Sequence, residues 1–310
     1  MFNLIVAKNA DEAFSEAFWK MKVLAEPEGS RNGQVMTSPY PVGFCLTHPN
    51  ERVLMNADRD ANPFFHVMEA VWMFGGFNEV HLLEPYNKNY TQYAEDDGYV
   101  HGAYGHRWEY HFDTNQILQV QEILDKDPTS RRAVIGMWDP TADLNMPKRD
   151  VPCNTHIYFR VVDDALDMTV CNRSNDLVWG MLGANIVHMT MLQELLARQL
   201  RRRVGAYRVF TNNLHVYEQH WHWLDNPPLT YTHPELPYPL LHTDEDIRDF
   251  TYDCKSFFLD PHRYPKTDWI ADVARPMRAA WEHRTDESLA RILCPQWRAA
   301  CTEWVKRRRK

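Results

Sequence analysis

Two runs of alternating residues constrain this chain more than any other feature. Ile157, Phe159 and Val161 alternate with His156, Tyr158 and Arg160; Leu166, Met168 and Val170 alternate with Asp167, Thr169 and Cys171. A period of two marks strands buried on one face. Asp163-Asp164 lies between the runs as a turn, so the pair reads as a β-hairpin. Val151-Pro152-Cys153 opens the first strand with a thiol behind a proline. Arg173-Ser174-Asn175-Asp176 follows the second strand as a polar run that no core needs. One reading is a nucleophile facing an anion site. The other is a buried structural cysteine beside a solvated turn, since free cysteine is among the most buried residue types.

A length of 310 residues allows one large domain or two small ones. The net charge of −8 argues against a nucleic-acid surface spread over the chain, but leaves room for a local basic pocket. Six widely spaced cysteines without a CxxC pattern read as reduced cytosolic thiols. The start, MFNLIVAKNADEAF, has neither a basic n-region nor a long apolar core, so it does not read as a signal peptide. No apolar run approaches the length of about 18 residues that a membrane span needs. The cytoplasm is the expected location.

Apolar spacing predicts helices over residues 10–24, 62–75, 116–126 and 184–200, the last one amphipathic. Between the first two, Glu28 to Gln34 reads as a loop. Its backbone N–H groups either face a phosphate beside Arg31 or simply turn the chain. Glu69 sits on the apolar face of the second helix, four after Phe65 and three before Trp72. It is either at a helix edge or lines a site, where it must be paired or shifted in pKa. Residues 84–103 read as a loop or a broken helix. Arg131-Arg132 opens a strand through Trp138, as a solvated edge or an anion clamp. Tyr207–Thr211 is a further strand. Five prolines over 226–241 mark an irregular crossing. The last 45 or so residues read as two helices, and the basic run Lys306 to Lys310 as a solvated terminus.

Taken together, these pieces resemble the thymidylate synthase superfamily. Nine motifs stand in its order: Arg31 in a glycine-containing loop, Glu69-Ala70-Val71-Trp72, Tyr104-Gly105-His106-Arg107-Trp108, Ser130-Arg131-Arg132, Trp138-Asp139-Pro140, Pro152-Cys153, Arg173-Ser174-Asn175-Asp176, Gly180 through Asn185-Ile186, and His215-Val216-Tyr217. The resemblance implies an α/β (α+β) fold with a large, mostly antiparallel sheet flanked by helices, and with the 155–171 hairpin at its centre. A catalytic domain over 1–265 would carry a helical C-terminal extension, 266–310, packed on it. The resemblance also implies a homodimer with shared sites and two ligands, a pyrimidine nucleoside monophosphate and 5,10-methylenetetrahydrofolate. Neither a metal nor a nucleic acid is implied.

By the same resemblance, Cys153 is the nucleophile that adds to carbon 6 of the pyrimidine and makes carbon 5 reactive. Cationic neighbours favour such a thiolate. Arg31, Arg173 and Ser174 hold the 5′-phosphate, with Arg131 and Arg132 reaching it from the partner; guanidinium forks suit phosphate oxygens. Glu69 relays protons at the base through water, and Tyr104 belongs to that network. Asn185 reads the base edge, His215 and Tyr217 bind the sugar hydroxyl, and Asp176 and Trp72 belong to the folate site. An Asn amide can donate to O4 and accept from N3–H of uracil, but rotated it presents the opposite pattern.

The chain departs from the synthase pattern in four places. Asn154 follows Cys153 where histidine is usual. One extra residue separates Asp176 from Asn185. No tryptophan occurs between Trp72 and Trp108, where Tyr86, Tyr90 and Tyr93 offer smaller, more polar rings. The chain also continues past Pro261-His262, so it cannot close over the site with a free carboxylate at the family's usual point. The last two departures loosen the wall that excludes water from the exocyclic methylene. The expected reaction is therefore hydroxymethylation of dUMP. The alternatives are thymidylate synthesis, a dCMP or CMP hydroxymethylase or a dCMP methylase, and a non-catalytic nucleotide- or RNA-binding homologue. A cysteine hydrolase using Cys153 and His156 is disfavoured, because three residues along a strand puts side chains on opposite faces.

Overall fold

A computed structural model describes residues 3–30, 32–230 and 238–309. The described strands form two sheets. The larger contains β1 (Asn3–Ala7), β4 (Val42–Leu46), β5 (Val134–Gly136), β6 (Asn154–Val162), β7 (Ala165–Asn172) and β9 (Arg203–Thr211), in the order β1-β4-β9-β7-β6-β5. β1 with β4 and β7 with β9 pair in parallel; the other three pairings are antiparallel. The hairpin lies inside the sheet but off its middle, with β5 beyond it. Its turn is Asp163-Asp164, both left-handed with φ of 47° and 61°, as a two-residue hairpin of this twist requires. At the cysteine end the β6–β7 register shifts between Asn154 and His156, a bulge of the kind that re-aims chains beside active sites.

The smaller sheet has the order β2-β3-β10-β8, with β2 at Glu26–Ser30, β3 at Gly33–Thr37, β8 at Asn175–Asp176 and β10 at Leu214–Tyr217. The stretch expected as a loop is thus largely a hairpin, with Ser30 opposite Gly33, because two short strands find a partner in β10 that no local pattern announces. Arg31 lies outside the described residues.

Helices cover one face of the large sheet. α1 (Ala10–Leu24) starts on Asn9, whose side chain accepts from the Glu12 N–H at 3.0 Å. α2 (Pro63–Phe74) starts on Asn62, with Pro63 in its first turn, and all twelve of its residues are buried, Glu69 included. The helix Asn185–Gln199 is buried from Asn185 through Ala197, and so is not the amphipathic helix expected. Stacking explains both. β7 and β9 lie under Asn185–Gln199, α2 lies over it, and Ile247–Leu259, Arg275–His283 and Pro295–Arg308 pack on α2. A helix covered on every side buries its polar residues too, and Thr190, Gln193 and Glu194 take hydrogen-bond partners there. The helix 116–126 forms as expected, and 84–103 contains the short 3-10 turn Lys88–Tyr93. The Arg131-Arg132 strand begins only at Val134, leaving both arginines exposed before it. Pro227 and Pro228 lie in irregular chain; Pro234 and Pro237 fall outside the described residues.

The C-terminal region has three helices where two were expected. Arg284 turns left-handed (φ 51°) after Arg275–His283, Asp286–Ala290 is a short piece with its own capping box, and Pro295 starts Pro295–Arg308. Trp281 and Trp304 each sit 5.6 Å from Phe64 of α2. The basic tail is not simply solvated. Arg307 Nη2 and Arg308 Nη2 contact Asp60 at 2.8 and 2.6 Å, just before α2.

Gly105 passes so close to the end of α2 that a Cβ would overlap the Met73 carbonyl. Neither backbone can move aside cheaply. Gly105→Ala is therefore expected to cost about 1–3 kcal/mol or more of stability, as overpacked sites do. Urea unfolding compared with wild type measures it.

Candidate active site

A cavity of about 1110 Å³ opens between α2, the start of β6, β8, β10 and the start of Asn185–Gln199. Cys153, Glu69, Tyr104, Arg173, Ser174, Asn185, His215, Tyr217, Asp176 and Trp72 all line it. Arg131 and Arg132 do not. His156, on the outer face of the sheet, stacks on Tyr158 at 6.1 Å and stays outside the cavity, which removes the cysteine–histidine hydrolase pairing.

Cys153 sits in the loop entering β6, held by Arg173. The Arg173 backbone N–H donates to the Cys153 carbonyl at 3.0 Å. Its Nε and Nη2 donate to the carbonyls of Pro152 and Val151 at 3.0 and 2.8 Å. These bonds bring Nη2 to 3.9 Å from Sγ and leave Nη1 without a hydrogen bond among the described residues. Burial pushes the thiol pKa up, Arg173 opposes that, and Asp150 and Asp176 add to it. A thiolate is the reactive form of a cysteine, and this environment by itself favours the protonated thiol. The Tyr104 hydroxyl accepts from the Asn154 N–H at 3.3 Å, beside the thiol, and burial raises its own pKa well above the usual range.

Glu69 faces the cavity from the middle of α2. Burial raises its carboxyl to about 8, Tyr90 hydrogen-bonds it and partly opposes the rise, and Asp150 adds to it. His188 Nε2 lies 3.4 Å from Glu69 Oε2 and 3.3 Å from the His66 carbonyl. A carbonyl only accepts, so Nε2 carries the hydrogen. Burial lowers the His188 pKa to about 3. At neutral pH this is therefore a neutral acid beside a neutral imidazole rather than an ion pair.

Asn185 is buried at the first turn of its helix, its amide on that of Asn175, so the extra residue in the preceding turn does not move it from the cavity. His215 Nδ1 meets Asn213 Oδ1 at 2.9 Å, and its ring meets Tyr217 edge-on at 5.2 Å. Burial lowers the His215 pKa, with Asp176 opposing. Asp176 caps the following helix, accepting from the N–H groups of Val178 and Trp179 at 3.2 and 2.9 Å. Trp72 Nε1 donates to the Glu79 carbonyl at 3.0 Å.

Several lining residues were not anticipated. Asp150 lies three before the thiol. His188 follows Asn185 by three and so shares its helix face, a usable signal. Arg59 had none: its Nη2 donates to the Val178 carbonyl at 2.8 Å, and its Nε is buried without a partner among the described residues. The aromatic wall also differs from expectation. Tyr90 and Tyr93 line the cavity, but Tyr86 packs on Trp281 at 5.7 Å instead. Trp179, from the turn after Asp176, stacks on Phe65 at 5.8 Å and supplies the indole that residues 73–107 do not.

A half-buried thiol beside a guanidinium, at one cavity with a buried carboxyl pushed up to about 8, is a set of groups suited to covalent and acid–base catalysis. The chain belongs to the thymidylate synthase family, whose model matches residues 57–263. A deoxyuridylate hydroxymethyltransferase of Pseudomonas phage M6 is 37% identical over 99% of this chain and 94% of that protein. Proteins of the same name from Bacillus phage SP01 and Delftia phage PhiW-14 are 34% and 31% identical. They cover 62% and 70% of this chain, and 52% and 63% of their own lengths.

Proposed function

We propose that the protein hydroxymethylates carbon 5 of deoxyuridine 5′-monophosphate, consuming 5,10-methylenetetrahydrofolate and water and releasing tetrahydrofolate. The observation that carries this is Cys153, held by Arg173 at one cavity with Glu69 and Asn185; the printed name of the relatives supports the substrate. The Cys153 thiolate adds to C6, breaking the C5–C6 double bond, and the electron pair runs to O4. Protonated Glu69 supplies a proton toward O4, through water, as that charge forms. The folate supplies the one-carbon unit at the oxidation level of formaldehyde. C5 bonds to that carbon, and loss of the C5 proton with cleavage of the carbon–nitrogen bond releases tetrahydrofolate and leaves an exocyclic methylene on C5. Water adds to that methylene, and elimination of Cys153 restores the ring. Tyr104 holds the backbone beside the thiol throughout.

The cavity fits both ligands. Its volume exceeds the range of about 300–1,000 Å³ usual for one small molecule. Trp179, Tyr90 and Trp72 suit the flat face of a pterin, with Asp176 at its polar edge, and the unpartnered Nε of Arg59 marks a cationic wall. Arg173 Nη1 and Ser174 face the phosphate, and His215 and Tyr217 face the sugar. With the indole of Trp179 at the cavity, the departure that favours water over hydride is the continuation of the chain past His262 and not a missing aromatic wall. Mass analysis of the nucleotide, with absorbance followed for dihydrofolate, tests the reading. The expected product is 5-hydroxymethyl-dUMP without dihydrofolate; dihydrofolate formed in step with a methylated nucleotide would make the enzyme a synthase.

The catalytic unit spans 1–265, with 266–310 as an extension on the same domain. It works in the cytoplasm, where its six free thiols stay reduced; among the described residues no helix is long and apolar enough to cross a membrane. It acts as a homodimer through the outer face of the large sheet, where Leu4, Val6 and Tyr158 are 51%, 53% and 44% exposed. The partner's Arg131 and Arg132 complete the phosphate site and lower the thiol pKa. Mixing Cys153→Ala chains with Arg132→Ala chains is expected to restore activity in up to half of the sites of mixed dimers. Activity that stays at the level of the parent variants would count against shared sites.

A further inference from the structure

We propose that Asn175, backed by Asn172 and Asn154, fixes which way round the Asn185 amide faces the pyrimidine and so makes the enzyme distinguish uracil from cytosine; this rests on the reading that Asn185 contacts the base. Four asparagine side chains stand in a row. Asn185 Nδ2 donates to Asn175 Oδ1 at 3.5 Å, Asn175 Nδ2 to Asn172 Oδ1 at 3.4 Å, and Asn172 Nδ2 to Asn154 Oδ1. Thr211 Oγ1 adds a second hydrogen to Asn172 Oδ1 at 3.2 Å. All four asparagines are buried, at 9%, 3%, 4% and 0% exposure from Asn185 to Asn154. They come from a helix start, β8, the end of β7 and the start of β6.

An amide offers an oxygen on one side and an NH2 on the other. A free Asn185 would rotate to suit either base, accepting from N3–H and donating to O4 of uracil, or the reverse for cytosine. In the row, turning either inner amide alone sets oxygen against oxygen and NH2 against NH2. Buried groups left so unmatched carry their full desolvation penalty. The row can therefore reverse only as a whole. Gly180 lies so close to Asn175 Oδ1 that a Cβ there would overlap it, so Asn175 packs against bare backbone on that side. The row ends beside the nucleophile, so base orientation and the start of β6 are set together. Asn175 is thus a positioning residue for specificity.

The test is kcat/KM for dUMP and for dCMP with methylenetetrahydrofolate, in wild type, Asn175→Ala and Asn175→Asp. Wild type is expected to favour dUMP. In Asn175→Ala the ratio should fall about tenfold or more, the worth of one buried hydrogen bond. Asn175→Asp still accepts from Asn185 Nδ2 and should keep the ratio near wild type although its bond to Asn172 is lost. An unchanged ratio in folded Asn175→Ala, or a lost ratio in Asn175→Asp, overturns the proposal. Should Asn175→Ala fail to fold, Asn172→Ala carries the same test one step down the row, with the same expected fall. A wild type that turns over neither nucleotide overturns the functional reading, and the proposal with it.

Discussion

Cys153→Ala is expected to lower kcat/KM by on the order of 10⁴-fold or more, as removal of a catalytic nucleophile does. The covalent adduct at C6 is what makes C5 reactive, so no partial reaction should survive. Exchange of the C5 hydrogen of dUMP with solvent, which needs the adduct but not a completed transfer, should vanish with it. Folding should be little affected, because the side chain borders the cavity and its neighbour Arg173 is anchored on backbone carbonyls. Cys153→Ala should still bind dUMP, since the proposed phosphate and base contacts remain. Measurable hydrogen exchange in a well-folded Cys153→Ala enzyme would remove the thiol from the mechanism.

Glu69→Gln is expected to lower kcat by about 10²–10⁴-fold, the usual worth of a general acid–base group, and to change the pH dependence of both activity and stability. In wild type the acid form serves as donor, so activity should fall as pH rises through about 8. That limb should disappear in Glu69→Gln. The stability effect has a definite sign. The folded pKa of about 8 lies above the ordinary 4.5, so between those values the folded protein holds a proton that the unfolded chain has released. Stability from this group is complete below about pH 4.5 and is lost as pH rises through about 8. Glutamine copies the neutral form, so the variant should be the more stable protein at pH 9, by on the order of a few kcal/mol. The difference should shrink toward zero near pH 4.5. Urea midpoints across that range measure it, and a constant difference would mean that Glu69 is not buried in its acid form.

Ile247–Leu259 was not expected, whereas the hairpin, its turn and the bounds of four helices were legible because each is written in local spacing. So was the likeness to the family, which brought Cys153, Glu69, Arg173 and Asn185 together before any fold was at hand. Asp150, Arg59 and Trp179 were not legible. Asp150 comes from a loop, Arg59 from a turn, and Trp179 from a segment whose kink brings an indole over Phe65. Nothing in their neighbours' spacing marks them. The C-terminal basic run was misread for a related reason: its partner, Asp60, lies nearly 250 residues away.

By itself the sequence determined the central hairpin and its turn, because period and turn chemistry act over a few positions, while the likeness to the family singled out Cys153 and Glu69 as candidates for nucleophile and acid. The tertiary structure alone decided how those groups behave. Burial from every side holds the Glu69 proton near pH 8 and keeps His188 neutral. The meeting of four distant asparagines turns a rotatable amide into a directed one. Such properties belong to surroundings built from separate parts of the chain, and desolvation and long-range hydrogen bonding exist only once those parts have come together.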